Sequence, residues 1–284
     1  MEAILQDDRG GYSIKGRNTL HSLGSLRDAG HLEKLSVTEI DLVTVRHIQQ
    51  MASIRSVGWL WLWCDVTRRA MRHVIQLPGL TVLDVLSIQG PGELGCFSSA
   101  RNLREFRANH YLTEQDLLQV AKCESLQEIG AQNSTLTHRS LAALLSLPHL
   151  RSLDIEATAF NDRMAKQLSY SKTISSLDIG ATKLTGIGLR HIASMEGLHS
   201  LDLWATSIAE KDLVLLRELP QLEYISLGNY DGDVSLDPEQ VVPVLMDLPS
   251  LKRIWIDGMF LTLDQIALLE SKLEVRYTNW NDEP

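Results

Sequence analysis

Set beneath one another, the segments beginning at Leu150, Ile174 and Leu198 read LRSLDIEATAF, ISSLDIGATKL and LHSLDLWATSI, with starts 24 residues apart. Apolar residues two apart, such as Leu153 and Ile155, share one face of a strand, while Ser152, Asp154 and Glu156 share the other. After each strand the period changes. Leu184, Leu189 and Ile192, and one repeat later Ile208, Leu213 and Leu216, have the spacing of an apolar stripe entering and running along a short helix. The L-x-x-L-x-L frame extends back through Leu126-Ile129-Ala131, Leu103-Phe106-Ala108 and Leu80-Leu83-Val85, and forward through Leu222-Ile225-Leu227 and Leu251-Ile254-Ile256. With Leu32-Leu35-Val37 and a tryptophan-rich segment it makes ten registers. Starting the tryptophan-rich repeat at Ile54 gives spacings of 22 and 26; starting it at Val57 gives 25 and 23, nearer to the rest, and turns Val57, Leu60 and Leu62 inward. The 29-residue step from Leu222 to Leu251 requires an insertion, expected at Gly228 to Pro238.

A strand and helix of this length cannot bury their own apolar faces, but stacked copies close a continuous core with the strands in one parallel sheet. Thr158, Thr182 and Thr206 then form a ladder that bonds the backbone where the chain leaves the sheet. The exposed ends of such a stack need caps. Residues 1–31 are expected to supply one, as two short strands from Ala3 to Gly16 around an Asp-Asp-Arg-Gly-Gly turn, with a helix after them near Thr19 to Asp28. Residues 32–277 carry the repeats, with Leu273 to Tyr277 as a last strand, and 278–284 form a polar tail.

The pattern resembles the leucine-rich repeat family, in its bacterial 23 to 24 residue form L-x-x-L-x-L-x-x-T-x-I, from Leu32 to Tyr277. The resemblance implies an α/β fold: a right-handed solenoid curved into a horseshoe, with a parallel sheet on the concave face and short helices on the convex face. Repeats four and five depart from it at Ala108, Ala131 and Asn109 to Leu112, so local irregularity is expected there.

Composition narrows the function. A chain that is 44% hydrophobic and 22% charged is neither collagen, coiled coil nor disordered throughout. No apolar run reaches the roughly 18 residues of a membrane helix, and Met1 to Lys15 has no basic stretch leading into an apolar one, so a cytoplasmic location away from membranes is expected. Three cysteines without a CxxC pair read as free thiols and offer no zinc framework. A formal charge of −9 disfavours nucleic acid and favours a basic protein. The nine histidines are scattered without HExxH, and Gly186-Ile-Gly188 lacks the third glycine and the lysine of a phosphate cradle, so it reads as a turn. The expectation is no enzyme, no metal and no cofactor.

What remains is the outward face of the strands. Its middle column includes Trp61, Asp84, Arg107, Asp154, Asp178, Asp202 and Trp255, flanked by columns containing Trp59, Tyr224 and Arg253 on one side and Trp63, Leu86, Glu156, Trp204 and Asp257 on the other. Three successive aspartates about 4.8 Å apart repel mildly in water, a charge pattern that folding does not require. They read as a strip for the lysines and arginines of a partner. Trp59, Trp61 and Trp63, beside Val82 and Leu86, form an exposed aromatic patch of the kind that marks interfaces, provided a one-residue slip does not turn them inward. Trp204, Tyr224 and Trp255, beside Arg253, form a second. These residues together predict a non-catalytic module, monomeric when free, gripping a basic protein partner. The resemblance points further, to an immunity protein that neutralises a toxin by covering its active site; the alternative is an adaptor or effector scaffold.

Overall fold

The computed structural model describes residues 4–6, 11–16, 23, 26, 30–52, 54–229 and 236–278. The chain forms two compact units, Met1–Thr135 with Ala142–Leu150, and Leu136–Leu141 with Arg151–Pro284.

In the first unit, β1 (Ile4–Gln6) pairs antiparallel with β2 (Gly11–Lys15), and β3 (His31–Val43), β4 (Ser56–Thr67), β5 (Val82–Gln89), β6 (Glu105–His110) and β7 (Glu128–Gly130) then add in parallel, in chain order. Helices α1 (Val45–Met51), α2 (Arg68–Val74) and α3 (Glu114–Val120) connect them, with a short 3-10 turn at Phe97–Ser99. Leu35, Leu60, Leu83, Phe106 and Ile129 lie opposite one another across five strands and are all buried. Starting the second repeat at Val57 is therefore the register that folds: Val57, Leu60 and Leu62 are buried, and the tryptophans between them point the other way.

The second unit repeats this plan with shorter strands. Three-residue β8 (Ser152–Asp154), β9 (Ser176–Asp178) and β10 (Ser200–Asp202) precede β11 (Tyr224–Gly228), β12 (Arg253–Asp257) and β13 (Glu274–Thr278), all parallel. The last strand starts one residue later than expected. Helix α4 (His138–Leu145), where the division between the units falls, precedes α5 (Asp162–Leu168), α6 (Gly186–Ile192), α7 (Pro238–Asp247) and α8 (Leu263–Glu270). Glu210–Glu218, where a short helix is expected, is a 3-10 helix.

One turn ends each short strand. The Asp154, Asp178 and Asp202 Oδ1 atoms accept the backbone N–H of the residue two further on, at 3.1, 3.0 and 2.8 Å. Ala157, Ala181 and Ala205 then take left-handed φ of 54°, 51° and 51°. Finally Thr158, Thr182 and Thr206 each donate their hydroxyl to the carbonyl three residues back, at 2.7 Å, which is the expected ladder. Repeat five, expected to be irregular, keeps the left-handed residue of this turn, Asn133 at φ 51°, but has Gly130 in place of the aspartate, and Ser134 donates to the carbonyl two residues back; repeat four departs, with Tyr111 at φ 70°.

The Gly186-Ile-Gly188 pair forms the first turn of α6, at the start of a repeat helix. Asp162 accepts hydrogen bonds from the backbone N–H of Thr185 and Gly188 at 2.9 and 3.0 Å. A Cβ on Gly186 would overlap the Asp212 carboxylate, and one on Gly188 would overlap Leu184 and Asp162, so glycine is there for close packing. The expected Asp7 to Gly10 turn, nearly all of the helix near Thr19 to Asp28, most of the insertion after Gly228 and the tail beyond Thr278 lie outside the described residues.

Candidate functional site

In the second unit the Ser-Leu-Asp strands place Asp154, Asp178 and Asp202 side by side, as their 24-residue spacing predicts. Their setting differs from a solvated strip. Glu156, Asp178, Gly180, Asp202, Trp204, Ser226, Trp255 and Asp257 line a cavity of about 330 Å³. Burial, then the charges of Asp202 and Asp154, push the Asp178 carboxyl up to about 8. Asp202 is raised by burial, against the pull of the Trp204 N–H and the Ser226 hydroxyl. Glu156 is raised by burial and then by Asp154 and Asp202. Asp257, expected to be exposed, is only 9% exposed. Among the described residues no lysine or arginine forms an ion pair with Glu156, Asp178 or Asp202. Asp154, Glu156 and Asp178 bring carboxylate oxygens within 4.8 Å of one another, a geometry open to a cation. The aspartates also have a structural use, since each closes the turn behind its strand; the expectation that folding does not require them is corrected accordingly.

Tyr224 and Arg253 stand on neighbouring strands beside this cavity, with the Arg253 guanidinium 5.8 Å from the Tyr224 ring centre, and Trp255 is 41% exposed. Burial, then the charge of Asp202, raises the Tyr224 hydroxyl. The predicted second aromatic group is thus split: the two indoles line the cavity and Tyr224 pairs with arginine.

In the first unit Trp59 and Trp63 are 39% and 45% exposed and Trp61 is half-buried, edge-on to Trp63 with ring centres 5.7 Å apart. Lys34, opposite Trp59 on β3, holds its ammonium 4.4 Å from the Trp59 ring centre and 5.5 Å from that of Trp61. Periodicity alone does not single out Lys34, although its place beside Trp59 in the flanking column is the available signal. Thr38 Oγ1, Trp61 Nε1 and Asp84 Oδ1 are buried without a hydrogen-bond partner. Burial raises the Asp84 carboxyl while Arg107 pulls it down. Leu86 is half-buried. Arg107 is committed within the sheet, to Glu128 at 2.6 Å and Glu105 at 3.3 Å.

Cys64 and Cys123 are buried, and burial pushes the Cys64 thiol up to about 12. All three cysteines are free, as expected. Among the described residues no helix is long and apolar enough to cross a membrane.

No protein-family description matches the sequence, and no curated protein matches it. Solved structures do. The chain is similar to the Toll-like receptor of a TLR13–ssRNA13 complex, with a TM-score of 0.53 and 16% identity over 96% of this chain, which spans 42% of that one. An internalin, InlF of Listeria monocytogenes, aligns with 95% of this chain and 87% of its own at 14% identity, with a TM-score of 0.48. The likeness to the first of these and the parallel strands described above give the fold, an α/β leucine-rich-repeat solenoid with a parallel sheet.

Proposed function

We propose that the chain is a non-catalytic binding protein that grips a basic protein partner with the outward face of its sheet, and that it acts as an immunity protein, neutralising a toxin by covering the toxin's active site. The observation that carries the first part is the cavity of the second unit. There the recessed carboxylates of Glu156, Asp178 and Asp202, without an ion-pair partner among the described residues, stand beside two indoles. Carboxylates held away from water gain most from an incoming cation, and aromatic anchors supply most of the energy of a typical interface. The first unit adds the exposed rings of Trp59 and Trp63. Although one structural neighbour is in complex with a single-stranded RNA, a formal charge of −9 argues against RNA here.

Immunity is the finer step, and genetics tests it. Co-expression with the product of an adjacent gene is expected to rescue growth and to yield a complex of nanomolar affinity, about −12 kcal/mol. Rescue is expected to weaken when Trp59 and Trp63 are replaced by serine. Toxicity unrelieved for every neighbouring gene product would remove the immunity reading and leave the adaptor reading, in which a partner is bound without being inhibited.

A further inference from the structure

The cavity of the second unit has the volume of a small organic group. Its carboxylates are positioned before any ligand arrives, because Asp178 and Asp202 each have Oδ1 fixed by a backbone N–H. The space exists because residue 180 has no side chain: a Cβ there would sit 3.2 Å from the Trp204 carbonyl oxygen and 3.3 and 3.4 Å from the Asp178 and Asp202 carboxylates. Trp204 and Trp255 complete the lining. An anion would be repelled here, an aliphatic group would leave the carboxylates desolvated, and a bare metal ion would make no use of the indoles. A cation carried on an alkyl chain or a planar delocalised group uses both surfaces, its charge on the carboxylates and its body against the rings. The protein already makes the indole half of that pairing in its first unit, where the Lys34 ammonium lies over Trp59.

We propose that this cavity receives the ammonium or guanidinium head of one lysine or arginine side chain of the protein partner. The proposal rests on the protein-binding reading above and narrows it to a single inserted side chain. Arg253 and Arg276, on β12 and β13, are the nearby cations of the sheet face, and neither lines the cavity. With Asp154, Glu156, Asp202 and Tyr224 around it, Asp178 holds its proton to about pH 8, so an incoming cation displaces that proton and binding strengthens as pH rises toward 8.

Calorimetry and indole N–H resonances of the full chain test this with four probes: Nα-acetyl-lysine methylamide, its arginine counterpart, its norleucine counterpart and n-butylammonium, with Mn²⁺ as a fifth titrant. The lysine or arginine probe is expected to saturate with a Kd of about 1 mM, to release a proton at pH 7, and to lose at least about tenfold in affinity, or about 1.4 kcal/mol, in Asp202→Asn and in Trp255→Ala. Trp255 is exposed enough that its loss leaves the fold intact, so failure to bind is separable from failure to fold. Equal binding of the norleucine probe overturns the charge requirement. n-Butylammonium carries the lysine head without its backbone and is expected to bind about as tightly as the capped lysine; binding of the capped amino acids without binding of n-butylammonium would overturn recognition of the head. Saturation by Mn²⁺ alone overturns the organic cation, and no saturation by any probe overturns the site. The protein-binding reading is judged apart, by complex formation with the adjacent gene product: a complex without probe binding sinks the pocket alone, and probe binding without a complex sinks the partner alone.

Discussion

Strand β4 and strands β8 to β10 obey one apolar frame and come out 12 and 3 residues long. The difference lies in the residues after the second inward leucine. In β4, Trp63-Cys64-Asp65-Val66 keeps alternating, with Cys64 and Val66 buried, and the strand continues past a register shift between Leu62 and Asp65. In the short strands an aspartate captures the N–H two residues on, the alanine one residue further turns left-handed, and a threonine hydroxyl closes the turn. The lesson concerns function as much as length. Outward aspartates in the second unit are partly accounted for by the turn they make, whereas outward tryptophans in the first unit bond no backbone and are not required by their strand. Aromatic exposure is therefore the stronger functional signal, and the aspartates become informative through the cavity that recesses them.

The comparison breaks most sharply at the core row of the first unit. Phe106→Ala removes a ring that is fully buried and packed edge-on against Phe97 at 5.1 Å, and is expected to cost about 3–5 kcal/mol in a urea melt. Next in size is the pH dependence set by Asp178. Its folded carboxyl holds a proton up to about pH 8 and its unfolded carboxyl only to about 3.8, so between those values the folded state binds the extra proton. Stability is therefore full below about pH 4, falls as pH rises through the window and levels off above 8. Asp178→Asn should flatten that fall, by on the order of 1–3 kcal/mol at pH 9; an unchanged profile would mean the carboxylate is solvated.

Smaller effects sharpen the contrast between the two strand types. Thr182→Val deletes the hydroxyl that closes a second-unit turn and is expected to lower stability by about 1–2 kcal/mol, a buried carbonyl being left unpaired. Trp59→Ser with Trp63→Ser should cost about 1 kcal/mol or less in thermal unfolding while weakening partner capture; a loss as large as that of Phe106→Ala would show that these rings hold the fold. Ala181→Gly relieves a left-handed alanine but loosens the unfolded chain, so a change within about 0.5–1 kcal/mol is expected in either direction.

Periodicity alone located the repeats, the parallel strands, the inward register of Val57, Leu60 and Leu62 and the threonine ladder, because each arises from short-range stereochemistry repeated at a fixed interval. The same reasoning placed Asp154, Asp178 and Asp202 in one column and Trp59 and Trp63 on the outer face. It could not show that Gly180 opens a cavity, that Trp204 and Trp255 recess the carboxylates, or that Asp257 is buried beside them, since these depend on side chains drawn from Glu156 through to Asp257 meeting across the sheet. Nor could it assign Lys34 to the tryptophans or Arg107 to Glu105 and Glu128, because long cationic side chains choose among several neighbours by distance. The sequence determined which face each residue is on, through the two-residue period of a strand; only the tertiary structure decided how deeply it lies there, because burial is set by the neighbours.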